Sequence, residues 1–142
     1  VQNSGVEPAN QPPVRREVTL LGSTGSIGTQ AIDVISRNPE MFRVTAIAAG
    51  GGNPGLLARQ AIDLGAEAVA VASPDAVPDL RAALGDVAAR AGRALPEVLA
   101  GPEAVAELAG RPADVVLNAV TGAVGLAATL AALRAGRVLA LA

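Results

Sequence analysis

Three glycines spaced three apart, in Gly22-Ser23-Thr24-Gly25-Ser26-Ile27-Gly28, lie between two apolar segments of different period. Before them, Val18 to Leu21 is a short apolar run bounded by Arg15, Arg16 and Glu17, as expected of a strand buried on both faces. After them, Ile27, Ala31, Val34 and Ile35 recur at helical spacing until Asn38 and Pro39 stop the helix. Strand, glycine turn and helix in that order are the context in which such a pattern carries meaning. Gly22 permits a sharp exit from the strand, Gly25 removes a Cβ where a ligand phosphate would approach, and Gly28 lets the helix pack closely. The N–H groups of Thr24 to Ile27 would then face an anion at the positive end of the helix dipole, and Thr24 and Ser26 would add hydroxyls. The spacing is GxxGxxG rather than the commoner GxGxxG, so the first half of the turn is one residue longer.

The alternation continues along the chain. Strands are expected at Val44 to Ala48, Ala68 to Ala72, Glu97 to Leu99, Asp114 to Val120 and Arg137 to Leu141. Helices are expected from Pro54 to near Gly65, Asp75 to about Gly92, Pro102 to Ala109 and Leu126 to Leu133, with Gly136 as a left-handed C-terminal cap. Asp86 to Pro96 reads equally as a helix end or as a loop. This pattern predicts an α/β domain over 15–142: a Rossmann-type, doubly wound, mostly parallel sheet with helices on both faces. Residues 1–14, polar and with three prolines, read as a flexible N-terminal arm without the apolar stretch of a secretory signal.

Composition narrows the chemistry. The chain has no Cys and no His, which removes disulfides, thiolate nucleophiles, the usual zinc sites and imidazole acid–base catalysis. A net charge of −2 and a single aromatic ring, Phe42, offer neither a basic stripe nor a stacking platform, so nucleic acid is not an expected partner. No apolar stretch approaches the roughly 20 residues that span a bilayer, and the chain reads as soluble and cytoplasmic.

An NAD-specific domain normally ends its second strand with an acidic residue for the ribose hydroxyls. Here that place holds Ala49-Gly50-Gly51-Gly52-Asn53. No carboxylate would repel a 2′-phosphate, and backbone amides with the Asn53 side chain could receive one, which favours NADP(H). Arg59 is the only nearby cation, and the competing account of the three glycines is a loop that is merely flexible. Asn118 to Gly125 leaves two readings open, room for ribose and nicotinamide or a close helix–sheet contact. Asp33, Asp63, Asp75 and Asp114 read as solvated or capping groups, and no paired-carboxylate metal site is visible.

Leu21 to Gln30, with Asn38-Pro39-Glu40 and Phe42-Arg43-Val44, closely resembles the N-terminus of 1-deoxy-D-xylulose 5-phosphate reductoisomerases. Gly122 to Leu126, Thr129 to Gly136 and Leu139 to Ala142 resemble the segment that in this family runs into an Asn-Lys-Glu-Ser motif. The resemblance implies an NADPH-dependent enzyme of the non-mevalonate isoprenoid pathway. Such an enzyme converts 1-deoxy-D-xylulose 5-phosphate to 2-C-methyl-D-erythritol 4-phosphate with a divalent metal, magnesium or manganese, as a homodimer. By position it implies that Thr24, Gly25, Ser26 and Ile27 contact the cofactor phosphates and that Gly50, Gly51 and Asn53 form the adenosine-phosphate loop. Many members carry a basic residue in that loop where this chain has an extra glycine.

The last strand stops at Ala142 without the connection that normally follows on the ligand side, so the sequence reads as a piece of a longer protein. The catalytic and C-terminal domains, with the metal and substrate ligands, would lie beyond it; no catalytic or metal residue is assigned here, and the piece alone is expected to be inactive. The alternatives are the dinucleotide domain of another GxxGxxG oxidoreductase and a non-catalytic nucleotide-binding module.

Overall fold

The computed structural model describes residues 14–142; all but the last residue of the expected arm lies outside the described residues. Six strands alternate with five α-helices. They run β1 Arg16–Leu21, α1 Ser26–Ser36, β2 Phe42–Ala49, α2 Pro54–Leu64, β3 Ala68–Val71, α3 Val77–Ala91, β4 Glu97–Ala100, α4 Pro102–Gly110, β5 Val115–Asn118, α5 Gly122–Arg134 and β6 Val138–Leu141. The strands form one sheet in the order β4-β3-β2-β1-β5-β6, and every pairing is parallel. The order reverses between β1 and β5. This is the point at which an open α/β sheet leaves a crevice beyond its carboxyl ends.

Side-chain size separates the two faces of the sheet. Val18, Leu20, Val44, Ile47, Val69 and Val71 pack with Ile35 of α1, Leu57, Ala61 and Ile62 of α2, and Leu80 and Leu84 of α3. On the other face Ala46, Ala48, Ala68 and Ala70 meet α4 through Val105 and Leu108, and Ala128 and Ala132 of α5 complete the same cluster beside α4. Alanine on the strands allows α4 to approach closely, while the branched side chains opposite fill the deeper gap beneath three helices. The β1–β2 register skips Thr45, pairing Val18 with Val44 but Thr19 with Ala46. This bulge sends Val44 and Ile47, three positions apart, to the same face.

The expected elements are all present, with boundaries moved for identifiable reasons. The segment from Asp75 divides into a 3-10 turn at Pro74–Ala76 and α3, whose first turn takes Pro78. Helix α3 runs through Asp86 to Ala91 and stops at Gly92, which has a φ of +63°, so Arg93 to Pro96 is loop. Helix α5 begins four residues before the expected Leu126, with Gly122 and Gly125 inside its first turn rather than in the preceding loop. Gly136 has the left-handed φ of +74° expected of it. The α1 stripe is only partly a core stripe: Ile35 is buried, but Ile27 and Val34 are 50% and 56% exposed. Among the described residues α1 is the last helix on its face of the sheet, and beyond it Val115, Leu117 and Ala140 line an open apolar groove with Ala31 and Val34.

Candidate functional site

The loop after β1 is held from below by backbone. Gly22 and Ser23 N–H both donate to Ala48 O at the end of β2, at 2.8 and 3.0 Å, and Gly25 N–H donates to Gly22 O at 3.2 Å. Gly22 has a φ of +86°, and a Cβ there would lie 2.9 Å from Ala119 O, so the end of β5 forms a wall against the turn. A Cβ on Gly28 would overlap Gly22 O and come within 2.8 Å of Ser23 Cα. Gly28 thus serves the close approach of α1, chiefly to its own turn.

Gly25 is different. Its φ of −77° and ψ of 176° suit any residue, and the only atom within reach of an added Cβ is Gly22 O at 3.6 Å. It is the N-cap of α1 and, without a side chain, caps no N–H. The first bond into the helix is Thr29 N–H to Gly25 O at 2.9 Å, so the N–H groups of Ser26, Ile27 and Gly28 precede the ladder. Thr24 is half-buried, and Gly25, Ser26 and Ile27 are exposed. The four residues expected at the phosphates therefore share one rim at the positive end of α1. The Ser26 hydroxyl accepts a bond from Gln30 Nε2 at 3.3 Å.

The loop after β2 lies along the same carboxyl edge and is tied on both sides. Ala72 N–H donates to Ala49 O at 2.9 Å and Ser73 N–H to Gly50 O at 3.0 Å. Gly51, with a φ of +118°, is packed so that a Cβ would be 3.0 Å from both Val71 and Ala76 side chains; Gly50 and Gly52 have nothing within 4 Å. Asn53 caps α2, its Oδ1 accepting from Leu56 N–H at 3.1 Å, which leaves its Nδ2 as a donor. Arg59 Nη1 reaches back to 3.6 Å from where a Gly55 Cβ would stand, over the first turn of α2. The cation is thus nearer the loop than its place in the sequence suggests.

Two buried amides organise the site's surroundings: Asn118, which opens the segment the sequence left with two readings, and Gln60, which sequence reasoning did not single out. Asn118, at the end of β5, donates to Gly125 O and Thr129 Oγ1, each at 2.9 Å, and accepts from Val120 N–H at 3.0 Å. A Cβ on Gly125 would overlap Val120 O, so close packing is what requires this glycine. Gln60, on the buried face of α2, donates through Nε2 to Ser23 O at 3.0 Å. A buried amide inside an otherwise apolar helical stripe is the signal that could have found it.

A hollow of about 460 Å³ elsewhere, lined by Gly65, Glu67, Arg93, Leu95 and Pro96, lies at the opposite, amino-terminal ends of β3 and β4. Its Arg93 already donates to Ile62 O and Asp63 O, at 2.7 and 3.3 Å, and ligands of open α/β sheets bind outside the carboxyl ends. Among the described residues no group of three His, Cys, Asp or Glu could hold a metal, and no helix is long and apolar enough to cross a membrane.

The sequence profile of the 1-deoxy-D-xylulose 5-phosphate reductoisomerases matches residues 18–142. Curated relatives of that name from Streptomyces coelicolor and Pseudarthrobacter chlorophenolicus are 59% and 55% identical to 89% of this chain, which spans 30% and 32% of their lengths. Among solved structures, the reductoisomerase of Zymomonas mobilis in complex with NADPH superposes with a TM-score of 0.80 at 40% identity, over 91% of this chain and 32% of that one. A reductoisomerase in complex with NADPH, fosmidomycin and magnesium gives 0.74 at 31% identity, over 87% of this chain and 29% of that one. With the match running through both glycine loops and all six strands, the chain belongs to the 1-deoxy-D-xylulose 5-phosphate reductoisomerase family.

Proposed function

We propose that this chain binds NADPH as the dinucleotide-binding part of a reductoisomerase acting on 1-deoxy-D-xylulose 5-phosphate. Thr24, Gly25, Ser26 and Ile27 hold the pyrophosphate, and Gly50, Gly51 and Asn53 hold the adenosine 2′-phosphate, with the Arg59 guanidinium adding charge attraction. The observation that carries this reading is Gly25: neither its dihedral angles nor its neighbours require glycine, yet it stands at the mouth of a turn whose N–H donors face outward. A ligand passing over the backbone accounts for the missing Cβ. The bound dinucleotide would supply a hydride, while these residues fix its position and neutralise its phosphates. Metal and substrate ligands belong to the two-thirds of the relatives' length that this chain does not span, and a homodimeric, cytoplasmic enzyme is the corresponding whole.

The test is titration of NADPH and NADH into the unmodified chain, Gly25→Val and Gly50→Asp. Gly25→Val should stay folded, because its Cβ meets nothing closer than 3.6 Å, and should lose at least about tenfold in NADPH affinity. Gly50→Asp, at an open position, should erode the preference for NADPH by setting a carboxylate against the 2′-phosphate. Gly51 is the poorer probe, since its φ of +118° makes any side chain there strained. Unchanged NADPH affinity in Gly25→Val, or equal competition by the two cofactors for the unmodified chain, would sink the assignment.

A further inference from the structure

Ser23 is fully buried, and both of its backbone polar groups are anchored inward. Its N–H donates to Ala48 O of β2 at 3.0 Å, and its carbonyl accepts from Gln60 Nε2 of α2 at 3.0 Å. The acceptor is a carbonyl, so the Gln60 amide can present only its NH₂ to it. No peptide bond is cis among the described residues, and in a trans peptide the carbonyl of one residue and the N–H of the next point in opposite directions. Pulling Ser23 O inward toward α2 therefore turns Thr24 N–H outward, toward the mouth of the turn.

Gln60 is only 8% exposed, flanked in the core by Leu57, Ala58, Ala61 and Ile62. Its Oε1 and the Ser23 Oγ are buried without a hydrogen-bond partner among the described residues. For packing alone, an apolar side chain at this position would avoid burying that unpaired oxygen. What the amide does that an apolar side chain cannot is hold the Ser23–Thr24 peptide plane. The helix carrying it starts immediately after the Gly50–Asn53 loop and is capped by Asn53, so one rigid element touches both ends of the candidate site.

We propose that Gln60 is a positioning residue of the dinucleotide site. It fixes the Ser23–Thr24 peptide so that Thr24 N–H meets the pyrophosphate, and through α2 it sets the phosphate turn relative to the adenosine-phosphate loop. This rests on the reading of the site as an NADPH site. It adds that binding of the pyrophosphate, but not of the adenosine half alone, depends on a side chain that touches no ligand.

The experiment compares two probes, NADPH and adenosine 2′-monophosphate, by titration followed through backbone amide resonances. The proteins are the 142-residue chain and its Gln60→Met variant, which keeps the length and removes both amide atoms. The variant should bind NADPH about tenfold more weakly, with the Thr24 amide response reduced, while its affinity for adenosine 2′-monophosphate changes less than about twofold. Equal weakening toward both probes would mean that Gln60 merely supports the fold, and undiminished NADPH affinity would mean that the peptide plane needs no such support; either overturns the inference. Should Gln60→Met not fold, the unmodified chain decides: NADPH, but not adenosine 2′-monophosphate, should slow solvent exchange of the Gln60 side-chain amide protons, and no slowing overturns the inference. Failure of the unmodified chain to bind NADPH would instead overturn the reading of the site, and this inference with it.

Discussion

Gly25 and Gly28 belong to one motif and meet opposite surroundings. A methyl group on Gly28 would overlap the Gly22 carbonyl oxygen and crowd Ser23 Cα at 2.8 Å, both backbone atoms that cannot rotate away. Gly28→Ala should therefore cost about 3 kcal/mol of stability, the upper end for overpacking, and chemical denaturation should show it with cofactor absent. Gly25 variants should keep their midpoint and lose ligand instead. The GxxGxxG spacing located the turn because strand, glycines and helix occupy consecutive residues. The same setting reads Gly28 as a packing glycine and Gly25 as one facing a ligand; what it could not supply is the backbone distant in sequence that a turn glycine meets, such as Ala119 O beside Gly22. Gln60 is marked in the sequence only as an amide within an apolar helical stripe, and its partner, Ser23, lies 37 residues away.

At the scale of elements, the Arg111 guanidinium ties the start of β4 to the end of α4. It donates to both oxygens of Glu97, at 2.8 and 3.2 Å, and to Glu107 at 2.6 Å. These bonds hold the Glu97 carboxyl below its ordinary value of 4.5 and raise Arg111 above its own. A depressed carboxylate stabilises the fold above its ordinary titration range, and the contribution disappears as pH falls through the depressed value. Arg111→Gln should return the Glu97 titration, followed by NMR, to the ordinary range. The variant's small loss in melting temperature at pH 7 should vanish in acid and shrink with added salt, because Glu97 and Glu107 are more than half exposed. Among the described residues element type and order were legible apart from Asp86 to Pro96, since strands are compact apolar runs and helices longer periodic ones. What escaped were the features that break periodicity: the Thr45 bulge, the glycines inside the first turn of α5, and the exposure of Ile27 and Val34. The last of these depends on which strands a helix covers, a tertiary fact.

As a whole, the molecule gathers its two glycine loops on one carboxyl edge of the sheet. The sequence has no His, Cys, Tyr or Lys, and among the described residues no carboxylates gather into a metal cluster. The 142-residue chain with NADPH, magnesium and 1-deoxy-D-xylulose 5-phosphate should give no substrate-dependent loss of reduced-nicotinamide absorbance; turnover would show that catalytic groups had been misplaced. The order β4-β3-β2-β1-β5-β6 has a further consequence, in time rather than in space. Because β1 pairs with β2 on one side and β5 on the other, its second neighbour comes late: Glu17 N–H donates to an Asp114 oxygen 97 residues further along. Parallel neighbours cannot be joined by a hairpin, and closing so long a loop costs entropy before any contact repays it. During synthesis the glycine turn emerges early, but the wall that Ala119 forms against Gly22 exists only after β5 has been made and has docked. The rim proposed to hold the phosphates is thus complete only once β5 has docked, and until then one side of β1 stays unpaired.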